Sequence, residues 1–334
     1  MKNKKLIKNI CVTGGAGYIG AHFVNKLNLT KKFYIYVLDN FQQGKKNIIK
    51  DKNINYYNID LKNKNKLNKF FKSKKVDLVA HFAALASVPD SVKNPADYYA
   101  NNIIGGLNLL EAMIKNNINK IIFSSSAAIY GEPKTKFIKE NHPKNPTNPY
   151  GYTKLVFENF LIDYNKAYGL NSISFRYFCA SGVDESQTIG EYHNPENHII
   201  PVLIETALGL RKKFYVYGHN FPTKDGTGIR DYIHVNDLAE AHILAIKKLQ
   251  TKNICEFYNL GINKGYSVLD LIKTTEKITG LKIKYEFVNR RPGDPSQLIA
   301  DSSLAYKKLG WQPKYRKIEQ IIKTTFDYKL KNTT

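Results

Sequence analysis

Tyr150 and Lys154 stand four positions apart where an apolar-periodic run, about Tyr152 to Tyr168, begins. That spacing puts both side chains on one face of a helix. An ammonium beside a phenol favours the phenolate, so the pair is expected to lower the tyrosine's pKa from its ordinary value of about 10. The phenol could then exchange a proton near neutral pH. Alone the pair is weak, because the chain has 23 tyrosines and an ordinary exposed helix start could present the same two residues. Ser124-Ser125-Ser126, at the end of the apolar run that starts at Lys120, gives it force. A hydroxyl there can hydrogen-bond a reacting oxygen, and Ser126 is the candidate.

A second group of residues is suited to holding an anion. Gly14, Gly17 and Gly20 follow an apolar run over residues 6–13 and lead into a helical run over Ala21–Leu29. Glycine permits the tight turn and lets backbone N–H groups approach a pyrophosphate at a helix N-terminus. The strand–turn–helix context separates this motif from a chance Gly-rich turn. Asp39 closes the second apolar run. A carboxylate there accepts hydrogen bonds from a ribose diol and repels a 2′-phosphate, so the expected cofactor is NAD rather than NADP. Asp60, with Leu61 after it, ends the third run and is placed to meet the adenine edge; a simple turn aspartate is the competing reading.

These residues need a frame. Strands read at 6–13, 33–38, 55–59, 77–82, 120–124 and 172–178, with helices at 21–29, 67–71, 97–115 and 152–168 between them. Such alternation means βαβ units and an α/β fold, a Rossmann-type doubly wound parallel sheet. After Ala180 the pattern changes. Residues 181–198 lack periodicity and 218–230 read as a loop. Helices follow at 199–210, 237–249 and 268–279, strands at 214–217, 255–260 and 282–288, and a polar loop at 290–297. The expected organisation is an NAD-binding domain over 1–180, rejoined from about 231–262. A smaller mixed α/β substrate-binding domain takes 181–230 and 263–334.

The 334 residues are 43% hydrophobic, ample for a core and incompatible with a wholly disordered chain. No apolar run reaches about 18 residues, so no transmembrane helix is expected. The basic start Met1–Lys5 gives way to polar residues and glycines too early for a secretory signal. Three cysteines, Cys11, Cys179 and Cys255, are far apart, which argues against a disulfide scaffold or a Cys-based zinc site. The expectation is a cytoplasmic protein with no metal. The net charge is +23, with 18 lysines against three aspartates in the first 75 residues. A nucleic-acid footprint is one reading. The lysines are not interleaved with aromatics on one stripe, so solvated faces are the favoured reading, with no nucleic-acid or membrane partner. Arginine is scarce: Arg176, Arg211, Arg230, Arg290, Arg291 and Arg316 only. A chain this rich in lysine would keep arginine where a bidentate fork is needed.

Taken together, Thr13–Gly20, His81-Phe-Ala-Ala84, Ser124–Ser126 with Tyr130-Gly131, and Tyr150 with Lys154 resemble the extended short-chain dehydrogenase/reductases. Gly226–Val235, Arg290–Asp294 and His198–Pro201 narrow the resemblance to the UDP-glucose (UDP-galactose) 4-epimerase family, over about residues 9–325. The resemblance implies that Tyr150, assisted by Ser126, takes the proton of a sugar 4-hydroxyl while hydride passes from C4 to bound NAD. The 4-keto sugar then turns over and is reduced on its other face. Lys154 would also hold the nicotinamide ribose. For cofactor contacts it implies Gly14, Gly17, Tyr18, Ile19, Gly20, Asp39, Asn40, Asp60, Leu61, Phe82, Ala83, Ala84, Asn102, Ser124, Tyr150, Lys154 and Tyr177. For the UDP-sugar it implies Ser126, Tyr150, Phe178, Cys179, His198, Ile199, Val216, Tyr217, Arg230, Arg291, Asp294 and Leu298. Arg230 and Arg291 would clamp the diphosphate and Asp294 the ribose. Arg176, inside a strand, is expected to have a structural partner. Members of the family usually dimerise through the helices corresponding to 97–115 and 152–168, and a homodimer is expected here.

Two positions depart from the family pattern. Cys179 stands where an asparagine usually meets the diphosphate, and a thiol is a poor donor. Leu298 stands where some members carry a bulky tyrosine that excludes N-acetylated sugars. With Ser87–Ser91, this points to UDP-N-acetylglucosamine as a second substrate. An epimerase specific for that sugar is an alternative, as is a UDP-sugar decarboxylase or dehydratase. A dehydratase needs an acid just after the Ser/Thr of the catalytic loop, where this chain has Ala127-Ala128. An NAD-sensing or nucleic-acid-binding protein is the reading from another class.

Overall fold

The computed structural model describes residues 6–191, 196–250 and 254–333. The basic run Met1–Lys5 and residues 192–195 of the aperiodic stretch lie outside them. The strands are β1 (Asn9–Thr13), β2 (Tyr34–Asp39), β3 (Ile54–Asn58), β4 (Leu78–His81), β5 (Lys120–Ser126), β6 (Asn171–Tyr177), β7 (Cys179–Ser181), β8 (Phe214–Tyr217), β9 (Ile229–His234), β10 (Cys255–Leu260), β11 (Gly265–Ser267), β12 (Tyr285–Val288) and β13 (Gln297–Leu298). The helices are α1 (Tyr18–Leu29), α2 (Lys64–Ser73), α3 (Val88–Lys93), α4 (Pro95–Tyr98), α5 (Gly105–Lys115), α6 (Pro149–Tyr168), α7 (Ile199–Ala207), α8 (Val235–Lys248), α9 (Val268–Thr279), α10 (Ser303–Leu309) and α11 (Ile318–Thr333). Among the described residues no helix is long and apolar enough to cross a membrane.

Seven strands form one parallel sheet in the order β10-β6-β5-β4-β1-β2-β3. Its strands read as continuous apolar runs because both faces are covered. Side chains alternate between the faces. Ile10, Val12, Ile35 and Val37 enter one core with Phe23, Leu238 and Trp311, under α1 and α8. Cys11, Tyr36 and Leu38 enter the other with Leu67, Leu109 and Phe157, under α2, α5 and α6. Strand order reverses between β1 and β4, and the crevice beyond the carboxyl ends of such a pair is where a ligand binds. Gly14, Asp39, Asp60, Phe82 and Ser126 all follow or close strand ends on that side.

A third core gathers Leu203, Val216, Tyr232, Leu271 and Ile322 from α7, β8, β9, α9 and α11. Here β9 pairs with β7, β11 and β13, and β8 with β12. The chain's return to the main sheet is thus narrower than 231–262: β9 belongs to the second sheet, and α8 and β10 make the return. Conversely, Ala305 of α10 and Trp311 pack into the first core, although they lie in the 263–334 stretch. The helix expected over 97–115 is three pieces, because residues Tyr99–Ile104 form a π-helical segment. Such segments often occur at functional sites. Residues 229–234, read partly as loop, form β9, where Asp231 draws two backbone segments onto the strand, as described below.

Candidate active site

The Gly-rich turn is built for close approach. A Cβ on Gly14, whose φ is +70°, would lie 2.4 Å from the Ala83 nitrogen, and one on Gly20 would lie 2.2 Å from the Gly14 oxygen. Phe82 and Ala83 both donate N–H to the Thr13 carbonyl, at 2.9 and 3.1 Å, which zips the ends of β1 and β4 together. Gly17 caps α1 without any side-chain bond, and no acidic residue occupies the first turn. The helix N-terminus, which begins with Tyr18 and Ile19, is therefore electrostatically ready for an anion. Asp39 accepts N–H from Ala16 at 3.0 Å on one oxygen and from Phe41 at 2.9 Å on the other. Each oxygen keeps a second lone pair for a diol. Burial pushes the Asp39 carboxyl up, and those backbone donors oppose the rise. Asn40 reaches Asp60 at 3.5 Å, and Asp60 also accepts N–H from Lys62 at 2.8 Å. Leu61, buried, presents its carbonyl to Asn108.

Tyr150, Lys154, Ser124 and Ser126 come together where α6 crosses the end of β5. Asn148 caps α6 by accepting N–H from Gly151 at 2.9 Å, and Pro149 opens the first turn. The Ser126 hydroxyl is the side chain that favours the Tyr150 phenolate, and it accepts N–H from Ala128 at 3.1 Å. Lys154 is buried and donates to the Ser124 carbonyl at 2.6 Å. Its Nζ lies 5.7 Å from the centre of the Tyr150 ring and 4.9 Å from that of Phe123. The pKa relation expected from the spacing is overturned. Burial raises the Tyr150 phenol above its ordinary value, and the group opposing that rise is Ser126. Lys154 is itself pushed down to about 7 by burial, with Glu158 acting against the shift. The ammonium points at a carbonyl rather than at the phenol oxygen, which is why spacing alone misjudged the effect.

Three neighbours fix this geometry. Asn102, in the π-helical segment, donates to Leu85 O and Thr153 Oγ1, both at 3.0 Å, and accepts from Leu85 N at 2.9 Å. It clamps the segment after Ala83 and Ala84 onto α6. His81 meets Thr13 Oγ1 at 2.7 Å through Nδ1, and burial drives its pKa down to about 3, so it stays neutral. His242, which the sequence did not flag, bonds the Leu238 carbonyl through Nδ1 at 2.8 Å. Its Nε2 then accepts the Tyr177 hydroxyl proton at 2.6 Å, and its ring lies 4.8 Å from that of Phe82.

The second sheet carries the cationic groups. Arg230 pairs across the sheet with Leu298, and its guanidinium reaches Asp294 at 3.5 Å. Cys179, on β7, lies near Arg230, Asp231 and Asp294, and burial pushes its thiol up to about 11. It is thus a neutral, weakly donating group. Arg291 sits 3.6 Å from the centre of the Tyr217 ring. Leu298 packs against the cluster that holds Ala127, Tyr130 and Phe178. Asp231, within the Gly226–Val235 motif but not among the expected contacts, is fully buried and accepts N–H from Ile262, Asn263 and Ala300 at 2.8, 3.0 and 3.2 Å. It fixes Arg230 and the strand of Leu298 in one frame. No periodicity in the sequence marks such a residue.

Two expected contacts are placed differently from the rest. Val216 is fully buried in the third core. The His198 imidazole lies between Glu191 at 2.7 Å and Glu196 at 2.9 Å, and these carboxylates raise its pKa to about 10 against the opposing effect of burial. Ile199 opens α7 beside it. Among the arginines, Arg176 has its structural partner in Glu158, while Arg211 bonds Glu205 and Arg316 the Pro313 carbonyl.

The family model described as GDP-mannose 4,6 dehydratase matches residues 11–325. A UDP-glucose 4-epimerase from Lacticaseibacillus casei is 44% identical over 319 residues, 96% of each chain. The crystal structure of a UDP-glucose 4-epimerase from Bifidobacterium longum, in complex with NAD+ and UDP, superposes with a TM-score of 0.92 at 38% identity, covering 98% of this chain and 99% of that one. The UDP-Glc/GlcNAc 4-epimerase of Campylobacter jejuni gives a TM-score of 0.83 at 38% identity, over 97% and 99% of the two chains.

Proposed function

The chain belongs to the UDP-glucose 4-epimerases of the extended short-chain dehydrogenase/reductases, and from that premise we propose that it inverts C4 of a UDP-hexose through a transient 4-keto sugar, with NAD as resident cofactor. The observation that carries the reading is the meeting of Tyr150 and Ser126 with a buried lysine that bonds the Ser124 carbonyl, set between an anion-ready helix N-terminus and the Arg230–Asp294 pair. The Gly14–Gly20 cradle, which a Cβ would fill, and the Asp39 lone pairs fit NAD. NAD supplies the reversible hydride acceptor for C4.

The protein supplies proton handling and orientation. Tyr150, as phenolate, accepts the proton of the 4-hydroxyl, and the Ser126 proton stabilises the oxygen charge on either partner. Lys154, held by the Ser124 carbonyl, would as an ammonium offer its remaining donors to a ribose diol. After the keto sugar turns, the same phenol returns its proton to the oxygen on the new face. No net proton or electron is consumed. Arg230 and Arg291 would neutralise the diphosphate, Tyr217 would meet the base and Asp294 the ribose. This division leaves the hexose free to rotate while UDP stays fixed. Ala127, rather than an acid, follows Ser126, which favours epimerisation over loss of the 6-hydroxyl despite the dehydratase name of the matching family model.

Leu298 lines the pocket beside Phe178, and a branched aliphatic leaves more room there than a phenol. UDP-N-acetylglucosamine is therefore a second proposed substrate, and the Campylobacter enzyme's name gives the idea support. A homodimer is proposed from apolar side chains on α6 and the π-helical segment, Tyr152 at 51% and Ile104 at 55% exposed. A reducing, cytoplasmic setting is proposed from three free cysteines. The test is incubation of purified protein with UDP-galactose and, separately, UDP-N-acetylgalactosamine, without added nicotinamide. Conversion of both is expected. No conversion of either, even with NAD added, would overturn the reading.

A further inference from the structure

A buried polar network behind the catalytic pair takes no part in the chemistry described above. Glu158 lies one helical turn beyond Lys154 on α6 and is 1% exposed. Its Oε1 accepts from the Ser125 hydroxyl at 2.6 Å and from Arg176 Nε at 2.9 Å, and its Oε2 accepts from Arg176 Nη2 at 2.8 Å. Arg176 is 2% exposed and completes its fork by donating through Nη1 to Tyr130 Oη and to the Glu140 carbonyl, both at 2.8 Å. Tyr130 in turn donates to Asn259 on β10 at 2.7 Å. Ser125 and Arg176 are cross-strand partners in the β5–β6 ladder. One carboxylate therefore fixes β5, β6 and α6 at a single level. That level is set between Ser124, whose carbonyl holds Lys154, and Ser126, whose hydroxyl meets Tyr150.

A buried ion pair is a poor source of net stability, because desolvation offsets most of its attraction. Its strength lies in geometry: a bidentate fork has one arrangement. We propose that Glu158 is the positioning residue of the active site, locking α6 in register with β5 so that Tyr150 and Lys154 meet the Ser124–Ser126 strand end, and placing a carboxylate one helical turn from Lys154. The idea rests on the epimerase reading for its kinetic consequences, but the network is independent of substrate. The charge balance around it is defined. Arg176 faces Glu158 from β6, Tyr130 from the turn after β5, Glu140 from the following loop, and Cys255 and Glu256 from β10. His81, neutral, faces Lys154 from β4. The opposition of Glu158 to the burial-driven fall of the Lys154 pKa agrees with this role.

Three variants separate position from charge. Ser125→Ala removes the bond to the strand and leaves every charge in place. A fall of about tenfold in kcat is expected, with KM for UDP-galactose within about twofold, because the UDP anchors lie on other elements. Glu158→Gln keeps the shape and removes the charge. The alkaline limb of the kcat–pH profile should move down by about one unit, and so should the titration of the Lys154 side chain followed by NMR of carbon-labelled lysine, assigned with Lys154→Met. Glu158→Asp should restore the pH limb but not kcat. A Glu158→Gln profile and lysine titration that superimpose on wild type would overturn the charge role. A Ser125→Ala loss that falls equally on KM and kcat would overturn the positioning role. If Glu158→Gln does not fold, Ser125→Ala and Glu158→Asp still decide. A wild-type protein that turns over no UDP-sugar would count against the epimerase reading instead, and the lysine titration would still judge Glu158.

Discussion

Two residues show how far a single side chain can tune this site. Leu298 forms one wall of the apolar cluster with Phe178 and Ala127. Leu298→Tyr adds a ring and a hydroxyl to a packed position. It is expected to remove turnover of UDP-N-acetylgalactosamine by at least about 100-fold while leaving UDP-galactose within a fewfold; paired assays on both sugars check this, and equal losses would contradict it. Lys154 offers a pH test. In the unfolded chain it titrates near 10.5, and in the fold near 7. Between those values the unfolded chain binds more protons, so this group's contribution to stability rises with pH. The penalty for burying the ammonium is fully present below about 7 and relieved toward 10.5. The gain in unfolding free energy of Lys154→Met over wild type should therefore be largest below pH 7 and shrink as pH rises, as measured by denaturant titration at several pH values.

At the scale of elements, α6 is the part on which the proposed mechanism depends. Tyr150 lies in its first turn, where a helix frays most readily, and Asn148 is the cap that holds that turn. Asn148→Ala is expected to cost about 1 kcal/mol of stability. Because the loosened turn carries the phenol, kcat should fall more than KM rises. A thermal melt and a steady-state titration of the same variant test both claims. The π-helical segment before α5 performs the matching task from the other side. Its Asn102 satisfies three partners at once and so orders the backbone after β4 beside α6. In the second sheet Asp231 does the same for β9 and the strand of Leu298, with burial and three backbone donors fixing a single arrangement.

At the scale of the whole molecule, Tyr99 of the π-helical segment and Tyr152 of α6 meet edge to face at 6.2 Å on the outer surface, beside Ile104. Ile104→Asp puts a charge on that patch. Sedimentation should show the proposed dimer replaced by monomer at micromolar concentration; an unchanged mass would refute this face as the interface. The sequence by itself determined the parallel sheet, since strands buried on both faces read as apolar runs with helices between them. It also determined the Gly-rich strand–turn–helix and the Tyr150–Lys154 pair, because glycine spacing and helical spacing are local properties. Only the tertiary structure decided what depends on long-range contacts. Examples are β9, held by Asp231; the buried network of Glu158 and Arg176; and the neutral His242 under Tyr177. The protonation of Lys154 belongs here as well. Spacing says which groups are neighbours, but the sign and size of a pKa shift depend on how much water the fold removes and where each charge points. Those quantities arise from elements far apart in the chain, so no local pattern contains them.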